Sequence, residues 1–79
     1  MVQVTIGNAT GRKKILVDPA EKIGDILEAN DINYGTARIT CNGETLNADA
    51  FGKALSDVIG DADSCYLLAV VKLDNGVNN

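Results

Sequence analysis

The fold of this chain is decided near its C-terminal end, by the apolar run Cys65-Tyr66-Leu67-Leu68-Ala69-Val70-Val71. The run follows a polar, turn-rich segment, residues 57–64. It is too short to span a membrane as a helix, and its length and β-branched residues favour a strand. A strand that is apolar on both faces is typical of the interior of a sheet. We therefore predict that this run is a central strand.

The N-terminal residues predict a β-hairpin. Residues 2–6 alternate between apolar and polar side chains, as a half-buried strand does. A turn over residues 7–11 leads to a second strand, residues 13–17, in which Ile15 and Val17 point inward. Leu16 then points to the opposite face.

A helix is predicted to follow the hairpin. Asp18-Pro19-Ala20-Glu21 combines a capping residue with a proline suited to the first helical position, and the helix should end near Asn30. Gly24 in its middle costs about 1 kcal/mol relative to Ala. Either other interactions override this cost, or another part of the chain approaches the helix closely at Gly24.

The next segment predicts a second, shorter hairpin. Residues 37–41 form a third strand, Asn42-Gly43 is a strong two-residue turn signal, and residues 44–46 form a short fourth strand. Residues 47–55 should cross back as a loop with about one helical turn. Phe51 and Leu55 are expected to attach this loop to the core.

Beside this order of elements, four local stretches are informative: Val17-Asp18-Pro19, Ile23-Gly24-Asp25-Ile26-Leu27, Asn42-Gly43-Glu44-Thr45-Leu46 and Leu55-Ser56-Asp57. With these stretches, the chain resembles the ubiquitin-like β-grasp family. The resemblance implies an α+β fold with sheet order 2-1-5-3-4 and one helix packed across one face. It covers residues 1–73, which we expect to be one domain, and leaves residues 74–79 as a flexible tail.

Composition excludes several classes of function. The chain has 79 residues, a net charge of −4 and no histidine. A nucleic-acid binder would normally carry a basic surface, and zinc or histidine-based acid–base chemistry would need imidazoles. No set of residues supplies a nucleophile, a base and oxyanion donors together. We therefore predict no enzymatic activity, no cofactor and no nucleic-acid or membrane partner.

Two further expectations concern metal and location. Asp57, Asp61 and Asp63 lie close together in sequence, but the remaining ligands of a calcium-binding EF-hand loop are missing, and turn chemistry explains these residues better. We predict no metal site. The N-terminal residues alternate instead of forming a continuous apolar segment, which favours a cytoplasmic protein over a secreted one.

The C-terminus bears on one alternative function. The resemblance implies a possible sulfur carrier or conjugated modifier, which would need a terminal Gly-Gly that an activating enzyme can thread into its channel. This chain ends Leu73-Asp74-Asn75-Gly76-Val77-Asn78-Asn79. Processing after Gly76 would expose Asn-Gly in place of the required Gly-Gly. We therefore keep the sulfur carrier or conjugated modifier only as the alternative function.

The leading hypothesis is a protein-binding surface. If Tyr66, Leu68 and Val70 face the helix, the other side of the strand forms an apolar stripe on the open face of the sheet, framed by polar residues, as protein-binding surfaces are. The resemblance implies docking on this face. The predicted binding residues are Leu67, Ala69, Val71, Leu16, Thr40 and Arg38. The partner is an unidentified protein, and the chain itself is expected to be a monomer or a weak homodimer.

The same assignment of faces applies to the cysteines. Cys41 follows Ile39 by two residues and should point inward, whereas Cys65 precedes Tyr66 and should point outward. Because thiols on opposite faces of a sheet point apart, this placement disfavours a disulfide.

Overall fold

A mixed sheet with one helix laid across it forms the body of the molecule. The computed structural model describes residues 1–8 and 10–71, and for Val71 it describes the backbone only. In chain order the elements are β1 (Val2–Asn8), β2 (Arg12–Val17), α1 (Ile23–Ala29), β3 (Ala37–Cys41), β4 (Glu44–Thr45), a 3-10 helix (Ala48–Gly52), α2 (Leu55–Ile59) and β5 (Ser64–Val71).

The sheet has the predicted order, β2-β1-β5-β3-β4. β1 pairs antiparallel with β2 and parallel with β5, and β3 pairs antiparallel with both β5 and β4. β5 therefore lies at the centre of the sheet, with a paired strand on each side. This confirms the position inferred from its apolar sequence.

The hydrophobic core lies between α1 and one face of the sheet. Ile23, Ile26 and Leu27 of the helix are at most 1% exposed. They share one buried cluster with alternate residues of the strands, which are Val2, Val4, Ile6, Val17, Ile39, Cys41, Cys65, Leu67 and Ala69. Burial of this apolar surface is the main force that holds the helix on the sheet.

The helix begins later than predicted. Asp18 starts a turn instead, in which its carboxylate accepts a hydrogen bond from the Ala20 amide (2.9 Å) and its carbonyl accepts one from the Glu21 amide (2.9 Å). The chain then runs beside residues 53–55, where the Ile23 amide donates to the Lys53 carbonyl (3.0 Å). An extended segment thus separates the turn from α1, and tertiary pairing overrides the local capping signal.

Gly24 makes the close approach that its position suggested. A Cβ atom at Gly24 would lie 3.0 Å from the Phe51 carbonyl oxygen and 3.0 Å from the Tyr34 hydroxyl. The rings of Tyr34 and Phe51 themselves pack with centroids 4.6 Å apart. The missing side chain therefore allows the 3-10 helix and the residues after α1 to pack against the helix.

The second half of the chain differs from expectation in one element. The Asn42-Gly43 turn is present, with the positive φ angles (52° and 90°) of a tight hairpin. The segment predicted as turns contains the short helix α2, which ends where Gly60 adopts a φ of 68°. Leu55, at the start of α2, is fully buried, and Phe51 packs against the core, as predicted.

The assignment of faces along β5 is wrong. Cys65, Leu67 and Ala69 point into the core and are 2%, 0% and 8% exposed, whereas Tyr66 and Val70 point away from the helix. The register with β1 shows why, because Cys65 lies beside Val4 and Leu67 beside Ile6, both core residues. Cys65 and Ala69, the small residues on either side of Leu67, also let α1 pack closely on this face. Tyr66 points outward, which keeps its hydroxyl near solvent.

Candidate functional site

The face of the sheet that α1 does not cover is the open face. The register between strands fixes which strand positions belong to it. These are Gln3, Thr5, Gly7, Arg12, Lys14, Leu16, Arg38, Thr40, Thr45, Ser64, Tyr66, Leu68 and Val70. No described helix packs a buried side chain against this face, since the core residues of α1 and α2 all cluster on the opposite one.

The centre of the open face is apolar. Tyr66, Leu68 and Val70 are alternate residues of β5, so their side chains are neighbours on the open face. We call these three side chains the apolar row. Tyr66 is 52% exposed and Val70 is 45% exposed, while Leu68 is half-buried. Three adjacent apolar side chains on a central strand differ from the single exposed apolar residues of ordinary surfaces.

The backbone beneath the apolar row is firmly held. The Tyr66 amide donates to the Asn42 Oδ1 atom (2.9 Å), and the Tyr66 carbonyl accepts from the Asn42 amide (2.9 Å). Thr40 lies directly opposite Leu68 in the register between β3 and β5. A surface built on paired central strands is preorganised, so a partner would bind it with little ordering cost.

The charged side chains on the open-face strand positions are all basic within the described residues. They are Arg12, Lys14 and Arg38, and each is exposed. Arg38 lies directly opposite Val70, and Lys14 lies across Thr5 from Tyr66. This face therefore carries a local positive charge on a protein whose net charge is −4.

The structure places the predicted binding residues in three groups. Leu16 (67% exposed), Arg38 and Thr40 lie on the open face. Leu67 and Ala69 lie in the core, so the prediction that they form the exposed stripe is wrong. The Val71 side chain lies outside the described part of the structure.

The sequence pattern did not place the apolar row on this face, and Arg12 and Lys14 were not among the predicted binding residues. The prediction also treated Leu16 as part of one stripe. Leu16 pairs with Gln3, which in turn pairs with Ser64, so Leu16 lies two strands away from β5, about 10 Å across the sheet. Leu16 is therefore an isolated exposed apolar side chain on β2, an edge strand of the sheet.

A small polar cluster around Tyr34 and Glu28 lies on the helix side of the molecule. The Tyr34 hydroxyl donates a hydrogen bond to the Glu28 Oε2 atom (3.0 Å). This bond raises the pKa of Tyr34, with smaller contributions from partial desolvation and from the charges of Glu28 and Asp25. Because the tyrosine ring also packs on Phe51, the cluster fastens the segment after α1 to the helix and to the 3-10 helix.

Neither metal chemistry nor a membrane-crossing segment is evident in the described residues. Within residues 1–8 and 10–71, no three histidine, cysteine or acidic side chains are grouped closely enough to hold a metal ion. No helix in the same residues is both long and apolar enough to cross a membrane. Gly76, on which the sulfur-carrier or modifier alternative depends, lies outside the described residues.

Comparison with known proteins identifies the fold. The structure is similar to a ubiquitin-like domain of an Arabidopsis thaliana protein, with a TM-score of 0.70 and 16% identity, over 99% of this chain and 84% of that one. It is similar to Caldiarchaeum subterraneum ubiquitin (TM-score 0.61, 20% identity, 95% and 98% covered). It is also similar to a ubiquitin-like protein from Trypanosoma brucei (TM-score 0.61, 18% identity, 90% and 94% covered).

No protein-family model and no curated protein sequence matches the chain. The structural matches, all at low sequence identity, establish a ubiquitin-like β-grasp fold and confirm the predicted fold class.

Proposed function

We propose that this protein is a non-catalytic, ubiquitin-like interaction module that binds a protein partner through the open face of its sheet. The observation that carries the proposal is the apolar row, three neighbouring apolar side chains on a face that no described helix covers. Burial of such a row by a partner is favourable by roughly 25 cal/mol per Å² of apolar surface. The ubiquitin-like fold supports a protein-interaction role in general.

The charges around the row indicate the chemistry of the partner. Arg12, Lys14 and Arg38 would be complementary to a segment that combines apolar with acidic side chains. Because all three are exposed, their contribution is mainly to selectivity and to the rate of association, and it weakens as salt increases.

The same charges disfavour self-association through this face. A symmetric homodimer would place the open face of one copy against the identical face of the other. Arg38 beside Val70, and Lys14 near Tyr66, would then approach basic residues of the second copy. The proposed partner of this face is therefore a different, acidic protein and not a second copy of the chain.

A pair of charge substitutions tests the proposal. Val70→Glu places an acid in the apolar row, and Val58→Glu is the matched control, since Val58 is an exposed valine (36%) on α2, away from the open face. Tagged wild-type protein is used to capture partners from native-host extract, and each captured protein is then purified for calorimetric measurement of Kd.

We expect the specific partner to bind wild type and Val58→Glu equally and to lose at least tenfold in affinity for Val70→Glu. Circular dichroism would show all three proteins folded. Equal binding of Val70→Glu, or loss of binding by Val58→Glu alone, would contradict the assignment to the open face.

A further inference from the structure

The two cysteines of the chain lie on the same buried face of neighbouring strands. Cys41 is opposite Leu67 in the antiparallel register of β3 with β5. Cys65 precedes Leu67 by two residues, so it points to the same side and is the diagonal neighbour of Cys41. The two side chains are 4% and 2% exposed. The prediction that the two thiols point to opposite faces of the sheet is therefore wrong.

The local geometry brings these two positions together. Asn42, the residue after Cys41, is hydrogen-bonded twice to Tyr66, the residue after Cys65. Diagonal neighbours in an antiparallel pair have Cβ atoms within about 7 Å. A disulfide needs Cβ atoms about 4 Å apart, so bridging requires a further approach of the two chains.

The position of Cys41 makes such an approach feasible. It is the last residue of β3 and is followed directly by the Asn42-Gly43 turn. β4 beyond the turn pairs with β3 at only two positions and forms an edge of the sheet. Segments with so little pairing open locally at low free-energy cost. Opening of β4 would leave Cys41 paired on one side only, with β5, the strand that carries Cys65, and would give its backbone more freedom to shift toward Cys65.

The thiols also influence each other chemically. The interaction between the two thiols lowers the pKa of Cys41 and raises the pKa of Cys65, and burial adds to the rise at Cys65. The thiolate is the form that attacks a disulfide. We therefore expect Cys41 to attack first, because it also ends β3 beside the edge hairpin, whereas Cys65 lies on the central strand.

We propose that Cys41 and Cys65 are a modification site at which a small-molecule disulfide, such as oxidised glutathione, installs an internal disulfide between β3 and β5. The Cys41 thiolate attacks one sulfur of the oxidant, forms a mixed disulfide and releases one thiolate. Cys65 then gives its proton to solvent and attacks the Cys41 sulfur, which releases the second small-molecule thiol. Two protein thiols are oxidised, and one oxidant disulfide is reduced to two thiols.

The bond would have a structural consequence. It would close a loop from residue 41 to residue 65, containing β4, the 3-10 helix and α2. Closing this loop restricts the unfolded chain, so the oxidised protein should be the more stable form. The proposal is independent of the binding role, because both cysteines lie on the face opposite the apolar row.

The experiment treats the purified full chain with oxidised glutathione, without denaturant. We expect the intact mass to fall by two hydrogen atoms, both thiols to be lost to a thiol reagent in denaturant, and the protein to remain monomeric. Trypsin cleaves after Arg38, Lys53 and Lys72, so a linked pair of peptides, 39–53 and 54–72, would identify the bond. The Tm should rise on oxidation and return on reduction.

Single variants test the order of the two steps. Cys65→Ala should stop at a stable glutathione adduct on Cys41, whereas Cys41→Ala should react several-fold more slowly at Cys65. An intermolecular dimer, an unreactive pair, or an oxidised form with a lower Tm would each overturn the proposal. If a variant fails to fold, the mass, peptide and Tm measurements on the wild-type chain still decide between these outcomes.

Discussion

The two faces of β5 form the most instructive contrast in this molecule. Leu67 and Leu68 are the same residue type at adjacent positions, yet Leu67 is fully buried under α1 and Leu68 lies half-buried on the open face. The core face carries small residues beside Leu67, and the open face carries a tyrosine and a valine beside Leu68. β5 thus stabilises the fold through one face and, in our proposal, binds a partner through the other.

The largest expected difference comes from truncating each leucine in turn. Leu67→Ala removes a side chain at 0% exposure and should cost about 3–5 kcal/mol of the free energy of unfolding. Leu68→Ala removes a half-buried side chain and should cost less than about 1.5 kcal/mol. Urea denaturation of both variants measures the difference. Equal losses would mean that the two faces of β5 contribute alike to the core.

A second test concerns α1, the helix that covers the core face of the sheet. Gly24→Ala places a methyl group 3.0 Å from the Phe51 carbonyl oxygen. We expect a net loss of about 1–2 kcal/mol, because the steric cost exceeds the gain of about 1 kcal/mol in helix propensity. Gly52→Ala is the control, since its Cβ would meet nothing within 4 Å. Thermal unfolding should show a lower Tm for Gly24→Ala and little change for Gly52→Ala.

On the open face, reversing charge should affect binding and leave stability almost unchanged. Arg38→Glu, next to Val70, should lower the association rate of an acidic partner by about tenfold at low salt, and the effect should shrink as salt rises. Lys53→Glu makes the same change in charge after the 3-10 helix, outside the sheet. Stopped-flow kinetics with the purified partner compares them. Equal effects would point to net charge instead of this surface.

The smallest expected effect is a shift in tyrosine titration on the helix side. The hydrogen bond to Glu28 raises the pKa of Tyr34 in the folded protein. Its stabilising contribution is therefore complete below the unfolded value near 10 and disappears as pH rises through the folded pKa. Spectrophotometric titration should show the Tyr34 pKa fall in Glu28→Gln. An unchanged pKa would show that this bond does not form in solution.

The arrangement of the sheet could be predicted from the sequence because several local signals agreed. Alternation over residues 2–6, the Asn42-Gly43 turn and the unbroken apolar run at residues 65–71 indicated two hairpins and a central strand, and the resemblance to the ubiquitin-like family implied the sheet order. The start of α1 could not be predicted in the same way. Asp18 and Pro19 favour a turn as well as a helix, and pairing with residues 53–55 selects the turn.

The binding surface was the least predictable part. Residues 65–71 are apolar at every position, so their pattern carries no information about which side faces the core. The deciding information is the pairing with β1, which aligns Leu67 with Ile6. A usable sequence signal was Tyr66, because a buried tyrosine needs a hydrogen-bond partner for its hydroxyl. Arg38 and Thr40 were placed correctly because β3 alternates clearly, and Leu16 was placed correctly because Ile15 and Val17 were taken as the inward residues of β2.

The parallel pairing of β1 with β5 has a consequence for synthesis. These strands are neighbours in the sheet, yet nearly the whole described chain separates them in sequence. A nascent chain on the ribosome lacks the middle of its sheet until residues 64–71 have left the exit tunnel. Until then the inner edges of β1 and β3 have no strand between them, which is when a chaperone would have most to bind.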